Sequence, residues 1–348
     1  MFIATVKSCC SRLSKLAIVG MSALVLTSVC LVLPAQADEA AKPVVIRFSH
    51  IVSGKAPKGQ MALKFKELAE KRLPGQVVVK VYPRAMMYED DQVVDAILKG
   101  DLEMAAPAVS KFTKYTSSLQ VYDLPFLFDD MGAVDRFQHG PAGRGLLDSL
   151  AGHGIRGLGY LHNGMKQLSA NQPLLQPADA AGLKFRIMSS DVLDAQFNVI
   201  GARAEKYPFG EVFNLLETKK IDGQENTWSN NYTTHFFRVQ SHITETNHGV
   251  LDYMVITSTA FWDKLPTAMR SELEAALNEA IEWGNQKAAE ENAQDRERIV
   301  ASGETNVMTL TPSQRMQWVQ AMRPVWKQFS GVIGQDLIDA ALASNNKP

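Results

Sequence analysis

Strand-like and helix-like segments alternate along the chain, and this alternation limits the possible folds more than any other feature. The β-branched runs at 44–49 and 77–82 predict strands, whereas 58–73 and 90–99 repeat apolar residues at helical spacing. Gly100 follows the second helical segment as a stop signal. Strands that alternate with helices are typical of an α/β protein, in which a mostly parallel sheet is wrapped by helices.

A second set of such segments begins near residue 155. Strands are predicted at 158–161 and 182–187, and helical spacing runs from 190 to 200. A long helical stretch follows from 266 to about 299. At 1.5 Å per residue it would span about 50 Å, which is more than one lobe of ordinary size. We therefore expect two lobes with a long helix that bridges them.

The N-terminal segment has the pattern of a secretory signal peptide. Three basic residues precede an apolar run over 16–33, and residues 35–37 match the small-x-small pattern that signal peptidase cleaves. A membrane-spanning helix would need about 20 apolar residues, and this run is shorter and is interrupted by Ser and Thr. We expect residues 1–37 to be a signal peptide that is removed near Ala37 on export.

Cysteine positions and overall charge narrow the possible partners. All three cysteines, Cys9, Cys10 and Cys30, lie in the predicted signal peptide, so the mature domain is expected to form no disulfide and no thiolate metal site. The whole chain carries 36 basic and 37 acidic residues, a net charge of −1. This balance argues against a nucleic acid partner, although a local basic cluster could still bind a small anion.

The motifs of common enzyme classes are missing from the sequence. Residues 152–157 spell G-x-G-x-x-G, but they follow a helical segment and precede a strand, which reverses the order that a dinucleotide site needs. There is no G-x-S-x-G elbow, no phosphate-binding loop and no H-E-x-x-H. These absences favour a binding protein without metal or cofactor, with an exported α/β hydrolase as the enzyme alternative.

Polar side chains near predicted strand ends form the candidate binding site. Asn163 and Lys166 lie just after one strand, Arg186 ends another, and Asn226 follows 221–223. Ligands of open α/β sheets bind at the carboxyl ends of strands, and the planar donor fork of arginine matches a carboxylate. On composition alone, however, an ordinary surface ion pair is the favoured role for Arg186.

Several short stretches occur in an order and at spacings that are specific when taken together. They are 48–50 with 57–59 downstream, 122–128, 166–171, 182–186 and 222–226. In these stretches the chain resembles the substrate-binding subunits of tripartite ATP-independent periplasmic (TRAP) transporters, in particular the DctP branch associated with C4-dicarboxylates. The resemblance covers nearly all of the predicted mature chain.

The resemblance implies a non-enzymatic, two-lobed periplasmic binding protein, each lobe a mostly parallel sheet wrapped by helices. Residues 38–163 and about 252–285 would form lobe I, and 164–251 and about 286–345 would form lobe II. The lobes would close around a small carboxylate, such as malate, succinate or fumarate. The protein would then deliver this ligand to the membrane permease subunits of a TRAP transporter.

The resemblance also implies roles for individual residues. Arg186 would be the principal carboxylate clamp, and Asn226 would donate a hydrogen bond to the same carboxylate. Lys166 would support this cluster, and Phe209 would wall the ligand.

A dicarboxylate needs a second cationic or donor group on the opposite lobe. Lys58, His50 and Ser110 are the candidates for this role. For Lys58 a solvated helix N-terminus is an equally good interpretation, and for His50 a packed histidine at a strand end is one as well.

Two departures from the family pattern leave the ligand open. Thr227 follows Asn226 where the family usually has proline, which predicts a less rigid loop, and 205–207 replace a short apolar stretch that borders the cleft. A 2-oxo acid, an aromatic acid or a sugar acid is therefore an alternative ligand. A ligand-binding accessory of a membrane sensor is an alternative role.

Overall fold

The structure of the protein is a computed structural model that describes residues 42–346. The predicted signal peptide of residues 1–37 lies outside the described residues. Within 42–346, no helix combines the length and the apolar character needed to cross a membrane.

The described residues form nine strands and twelve α-helices. The strands are β1 (Val44–Ser49), β2 (Val77–Tyr82), β3 (Met104–Ala105), β4 (Ile155–Ala170), β5 (Lys184–Ile187), β6 (Arg203–Lys206), β7 (Gly223–Asn226), β8 (His242–Ser258) and β9 (Asn306–Thr309). The helices are α1 (Pro57–Arg72), α2 (Asp90–Lys99), α3 (Met131–His139), α4 (Pro141–Asp148), α5 (Asp191–Val199), α6 (Val212–Glu217), α7 (Trp228–Thr233), α8 (Thr259–Trp262), α9 (Thr267–Ser302), α10 (Pro312–Met322), α11 (Pro324–Ile333) and α12 (Gln335–Ala343).

The strands form one mixed sheet in the order β2-β1-β3-β8-β4-β7-β5-β6, and β9 pairs with β8. Both ends of the sheet are parallel, as predicted, because β1 pairs with β2 and β3 while β5 pairs with β6 and β7. The centre is antiparallel, with β8 paired to β3 and β4, and β4 paired to β7. The α/β class is thus confirmed, and the two parallel ends are joined through the long central strands.

Strand β4 is much longer than the sequence predicts. It runs for 16 residues, whereas the apolar pattern indicated only 158–161. Glycines and bulges hide its period, since the pairing register shifts between Gly157 and Gly159 and again between His162 and Gly164. The prediction that Asn163 and Lys166 follow a strand is therefore wrong, because both lie within β4.

Helix α9 packs against α1 in its first half and against α7 near its end. Its first half carries Leu273 and Leu277, which are buried with Phe65 of α1, whereas Ile299 near its end is buried with Trp228 of α7. The predicted long helix over 266–299 is confirmed, with observed bounds of Thr267–Ser302.

The C-terminal helices contact residues of both predicted lobes. Trp326 of α11 and Ile338 of α12 share one core cluster with Phe112, Tyr122 and Val192. Of these partners, Phe112 and Tyr122 belong to predicted lobe I and Val192 to predicted lobe II. The division of the chain between the lobes therefore stays a prediction.

Candidate ligand-binding cavity

A cavity lies where the ends of β5 and β7 approach the residues that follow β1 and β3. Its empty space is about 510 Å³, part of which is open to solvent. Strand ends are the usual place for ligands in such sheets. Four of the predicted site residues line this cavity, namely Arg186, Lys166, Asn226 and Phe209.

Arg186 is a buried cation with unused donors. Its side chain projects from β5, only 3% of the residue is exposed, and Nε donates a hydrogen bond of 2.9 Å to the carbonyl oxygen of Tyr207. Among the described residues, no acceptor pairs with its two terminal nitrogens. Burial lowers the pKa of Arg186 to about 10, so the guanidinium is still charged at neutral pH. The interpretation as a surface ion pair is therefore wrong, and the free donors suit a bidentate anion.

Lys166 is also buried, but its charge is balanced inside the protein. Its Nζ lies 2.8 Å from Oε1 of Glu225 on the neighbouring β7. The other carboxylate oxygen of Glu225 is 2.9 Å from Nε2 of His248, and Nδ1 of that imidazole is 2.7 Å from the hydroxyl of Thr246. Burial alone would raise the pKa of Glu225, but Lys166 and His248 lower it to about 2. Of the two cations, Arg186 is thus the one left for a ligand.

Asn226 presents a donor to the cavity. Its Oδ1 accepts hydrogen bonds from the backbone N–H of Thr227 at 3.2 Å and from Nδ2 of Asn230 at 2.7 Å. The amide oxygen is therefore occupied, and Nδ2 is the group that can meet an acceptor on a ligand.

Thr227 holds its loop by side-chain hydrogen bonds where the family pattern has proline. Its hydroxyl caps α7 by accepting from the N–H of Asn230 at 3.3 Å, and it donates to Oδ1 of Asn163 at 2.7 Å. Both partners are buried. The loop is thus anchored at the residue where less rigidity was predicted.

Asn163 lies beside the cavity rather than in its wall. Its Nδ2 donates to the hydroxyl of Tyr253, a lining residue, at 2.6 Å. Its carbonyl oxygen accepts from Nδ2 of Asn292 on α9, also at 2.6 Å. The next residue is Gly164 with φ of 154°, and a Cβ there would approach the side chain of Asn292 to 3.2 Å. Asn163 therefore connects the cavity wall to the long helix.

Lys58, His50 and Ser110 are buried next to lining residues but do not line the cavity themselves. Nζ of Lys58 donates to the carbonyl oxygen of Ala106 at 2.9 Å and lies 3.6 Å from the ring centroid of Tyr253. Burial lowers the pKa of Lys58 to about 8. The interpretation of Lys58 as a solvated helix N-terminus is wrong, since the residue is 1% exposed.

His50 and Ser110 adjoin the wall in a similar way. Neither ring nitrogen of His50 has a partner among the described residues, and burial lowers the pKa of this imidazole to about 3, so it is neutral. The hydroxyl of Ser110 lies 3.6 Å from the sulfur of Met188, which lines the cavity.

The sequence reasoning missed the charged residues of the opposite wall. Lys111 lines the cavity, and its Nζ lies 2.7 Å from a carboxylate oxygen of Asp91 and 3.3 Å from the hydroxyl of Ser189. Glu89 and Asp90 line the same wall. The strand-end rule points to Lys111 only if the two-residue β3 is recognised, and that strand is too short to produce a periodic pattern.

Metal ligation has no support in the described residues, since no group of three His, Cys, Asp or Glu side chains there could hold an ion. The cavity instead combines one unpaired guanidinium, one free amide donor and one aromatic wall. This set of groups can bind and orient a carboxylate.

Comparison with known proteins identifies the family. The family model of DctP, bacterial extracellular solute-binding protein family 7, matches residues 48–331. A C4-dicarboxylate-binding periplasmic protein DctP from Shewanella loihica is 55% identical over 320 residues, which cover 92% of this chain and 95% of the relative.

Solved structures agree with this assignment. A TRAP periplasmic solute-binding protein from Shewanella oneidensis with bound succinate is 56% identical, with a TM-score of 0.87 over 87% of this chain and 100% of its own. Another from Pseudomonas aeruginosa with bound L-malate is 47% identical, with a TM-score of 0.80 over 82% of this chain and 100% of its own. The predicted two-lobed α/β receptor is confirmed over the exported hydrolase, and the chain belongs to the DctP family of solute-binding proteins, the receptors of TRAP transporters.

Proposed function

We propose that this protein binds a C4-dicarboxylate, such as malate, succinate or fumarate, and delivers it to the membrane permease subunits of a TRAP transporter. The observation that carries the proposal is Arg186, a buried guanidinium whose terminal nitrogens have no partner among the described residues. A buried charge without a partner is costly, so a ligand carboxylate that pairs with it gains strongly. The solved relatives with bound succinate and L-malate favour a ligand of four carbons.

One carboxylate of the ligand would sit between Arg186 and Asn226. Arg186 would bind it through two parallel hydrogen bonds, and Asn226 would donate a third from Nδ2. Lys166 would act through Glu225, because their ion pair fixes the strand that carries Asn226. Phe209, which is half-buried, would cover the hydrocarbon part of the ligand.

Lys111 is our candidate for the second carboxylate. It lines the cavity, its side chain is 6% exposed, and it lies on the 3₁₀ turn Val109–Phe112 that follows β3. Its bonds to Asp91 and Ser189 hold the ammonium group in place. Lys58, His50 and Ser110 would act indirectly, by positioning the lining residues that they adjoin.

Closure of the two lobes would complete the site. A ligand held by groups from both sides of the cavity draws them together and removes water, which strengthens the pair with Arg186. Helix α9, which packs against α1 and α7 and is bonded to Asn163, would bend with this motion.

Calorimetry on the mature protein tests the ligand. We expect succinate, malate and fumarate to bind more tightly than butyrate, 2-oxoglutarate, benzoate or galactonate. Tighter binding of a 2-oxo, aromatic or sugar acid would overturn the assignment to C4-dicarboxylates.

Uptake measurements test the delivery step and the place of action. We expect proteoliposomes with the TRAP permease subunits to accumulate labelled succinate only when this protein is added. Ligand binding without any stimulated uptake would instead favour the sensor accessory.

The intact mass of the exported protein should correspond to a chain that begins at Asp38, after cleavage near Ala37.

A further inference from the structure

Asp90 presents a hydrogen-bond acceptor to the cavity. It is the first residue of α2, lines the cavity and is 6% exposed. Its Oδ2 accepts a hydrogen bond of 3.3 Å from the backbone N–H of Ala108, which holds the carboxylate in place. For Oδ1 there is no hydrogen-bond partner or ion-pair partner among the described residues. One fixed carboxylate oxygen is therefore available to a ligand.

The neighbouring acids are less suited to this role. Asp91 is paired with Lys111, and Glu89 is half-buried at the edge of the same wall. The negative charges of Glu89, Asp90 and Asp91 act on Arg186 across the cavity and favour its charged form. Asp90 is the most buried of these three acids, and it lies across the cavity from Arg186.

A carboxylate oxygen only accepts hydrogen bonds, so the chemistry of the ligand at this point is limited. A ligand carboxylate would place two anionic acceptors in contact. A methylene group would displace water from Oδ1 and give it no partner, which is unfavourable. A hydroxyl group would donate to it.

We propose that Asp90 accepts a hydrogen bond from a hydroxyl on the carbon chain of the ligand and thereby makes the protein selective for malate over succinate. This inference rests on the proposed function, in which the carboxylates of the ligand are bound by Arg186 and Lys111. The chain carbons would then lie between these two groups, within the cavity that Asp90 also lines.

Titrations of the wild-type protein test the inference directly. We expect one enantiomer of malate to bind about three- to tenfold more tightly than succinate, the range that one net hydrogen bond gives. The corresponding enantiomer of 2-fluorosuccinate, which is similar in shape but has no donor, should bind no more tightly than succinate. Equal affinities for succinate and both malates would overturn the role of Asp90, and so would tight binding of 2-fluorosuccinate.

The substitution Asp90→Asn tests the residue. Asparagine can still accept from Ala108, but it would turn its amide donor to the cavity, so the ratio of malate to succinate affinity should fall to about one or below. The ratio is the readout because loss of a negative charge raises the affinity for both dianions. An unchanged ratio would overturn the proposal.

Two matched variants separate hydrogen bonding from charge and folding. Asp91→Asn removes a charge from the same wall and should change both affinities by the same factor, so that its ratio stays at the wild-type value. Asp95→Asn lies on the same helix, is bonded to Lys114 and is outside the cavity lining, so it should bind like wild type. If Asp91→Asn also lowers the ratio of malate to succinate affinity to about one, the specific role of Asp90 is overturned.

The two proposals fail in different ways. If the wild-type protein binds no C4 acid, the proposed function is wrong and the inference falls with it. If it binds succinate and malate equally well, the function stands and only the role of Asp90 is removed.

Discussion

The ammonium group of Lys166 lies 2.8 Å from a carboxylate oxygen of Glu225, and both side chains are about 1% exposed. This ion pair joins the central strand β4 to β7 at Glu225, the residue just before Asn226, whose amide offers a donor to the cavity. Its full burial sets it apart from the exposed ion pairs of the helices, which contribute little to stability.

Glu225→Gln should destabilise the protein because it leaves the charge of Lys166 buried without its counterion. We expect the free energy of unfolding to fall by about 3 kcal/mol, measured by urea denaturation of the ligand-free protein. Glu290→Gln is the control, since Glu290 pairs with Lys287 on an exposed helix surface and should cost less than about 0.5 kcal/mol. Equal effects of the two substitutions would contradict the assigned importance of the buried pair.

Arg186→Ala should lower the affinity for succinate by at least about tenfold, because the bidentate pair with the ligand is lost. Arg186→Lys should also weaken binding, since an ammonium group lacks the planar fork. Calorimetry is the measurement, and Arg203→Ala on the exposed edge strand β6 is the control that should bind normally. Unchanged affinity in Arg186→Ala would remove this residue from the site.

Lys111→Met should weaken binding of dicarboxylates by about tenfold and have little effect on a monocarboxylate such as butyrate, because only the second carboxylate loses its partner. Calorimetry with both ligands checks this difference. Lys114→Met, which removes an exposed lysine from the same region, should leave both affinities unchanged. A loss that is equal for both ligands would show that Lys111 acts on the fold of the cavity rather than on the distal carboxylate.

Stability should fall as the pH rises above neutrality, because of one buried histidine. Burial alone would lower the pKa of His162, but Asp252 at 2.9 Å and Asp135 at 3.5 Å raise it to about 10. A pKa raised by folding adds stability that is complete below the unfolded value near 6.5 and is lost as the pH rises toward 10.

We expect the free energy of unfolding to decrease by about 1 kcal/mol per pH unit between pH 7 and 8, as measured by urea denaturation. Above this range Lys58, whose pKa is lowered to about 8 by burial, contributes in the opposite direction. His162→Gln should flatten this slope, whereas the exposed His153→Gln should keep it. A slope that is the same in His162→Gln and wild type would exclude His162 as its source.

Arg186 and Asn226 show what the sequence could predict about the site. Each lies in a short strand with a recognisable boundary, so the strand-end rule and the family pattern both indicate it. Lys111 and Asp90 could not be found in this way, because β3 has only two residues and the strand-end rule does not reach the start of α2.

The sequence by itself determined the α/β class and the long helix α9, because local periodicity carries this information. The family pattern added the residues on β5 and β7 that we propose to bind the carboxylate. Only the tertiary structure decided that β4 and β8 run through the centre of one sheet. Bulges and glycines disrupt the apolar pattern of these strands, and pairing between segments distant in sequence holds them extended. It also decided which charge is free. Lys166 and Arg186 are both cationic in the sequence, but only Lys166 forms an ion pair with Glu225. The terminal nitrogens of Arg186 have no partner among the described residues, and we propose that they bind the ligand.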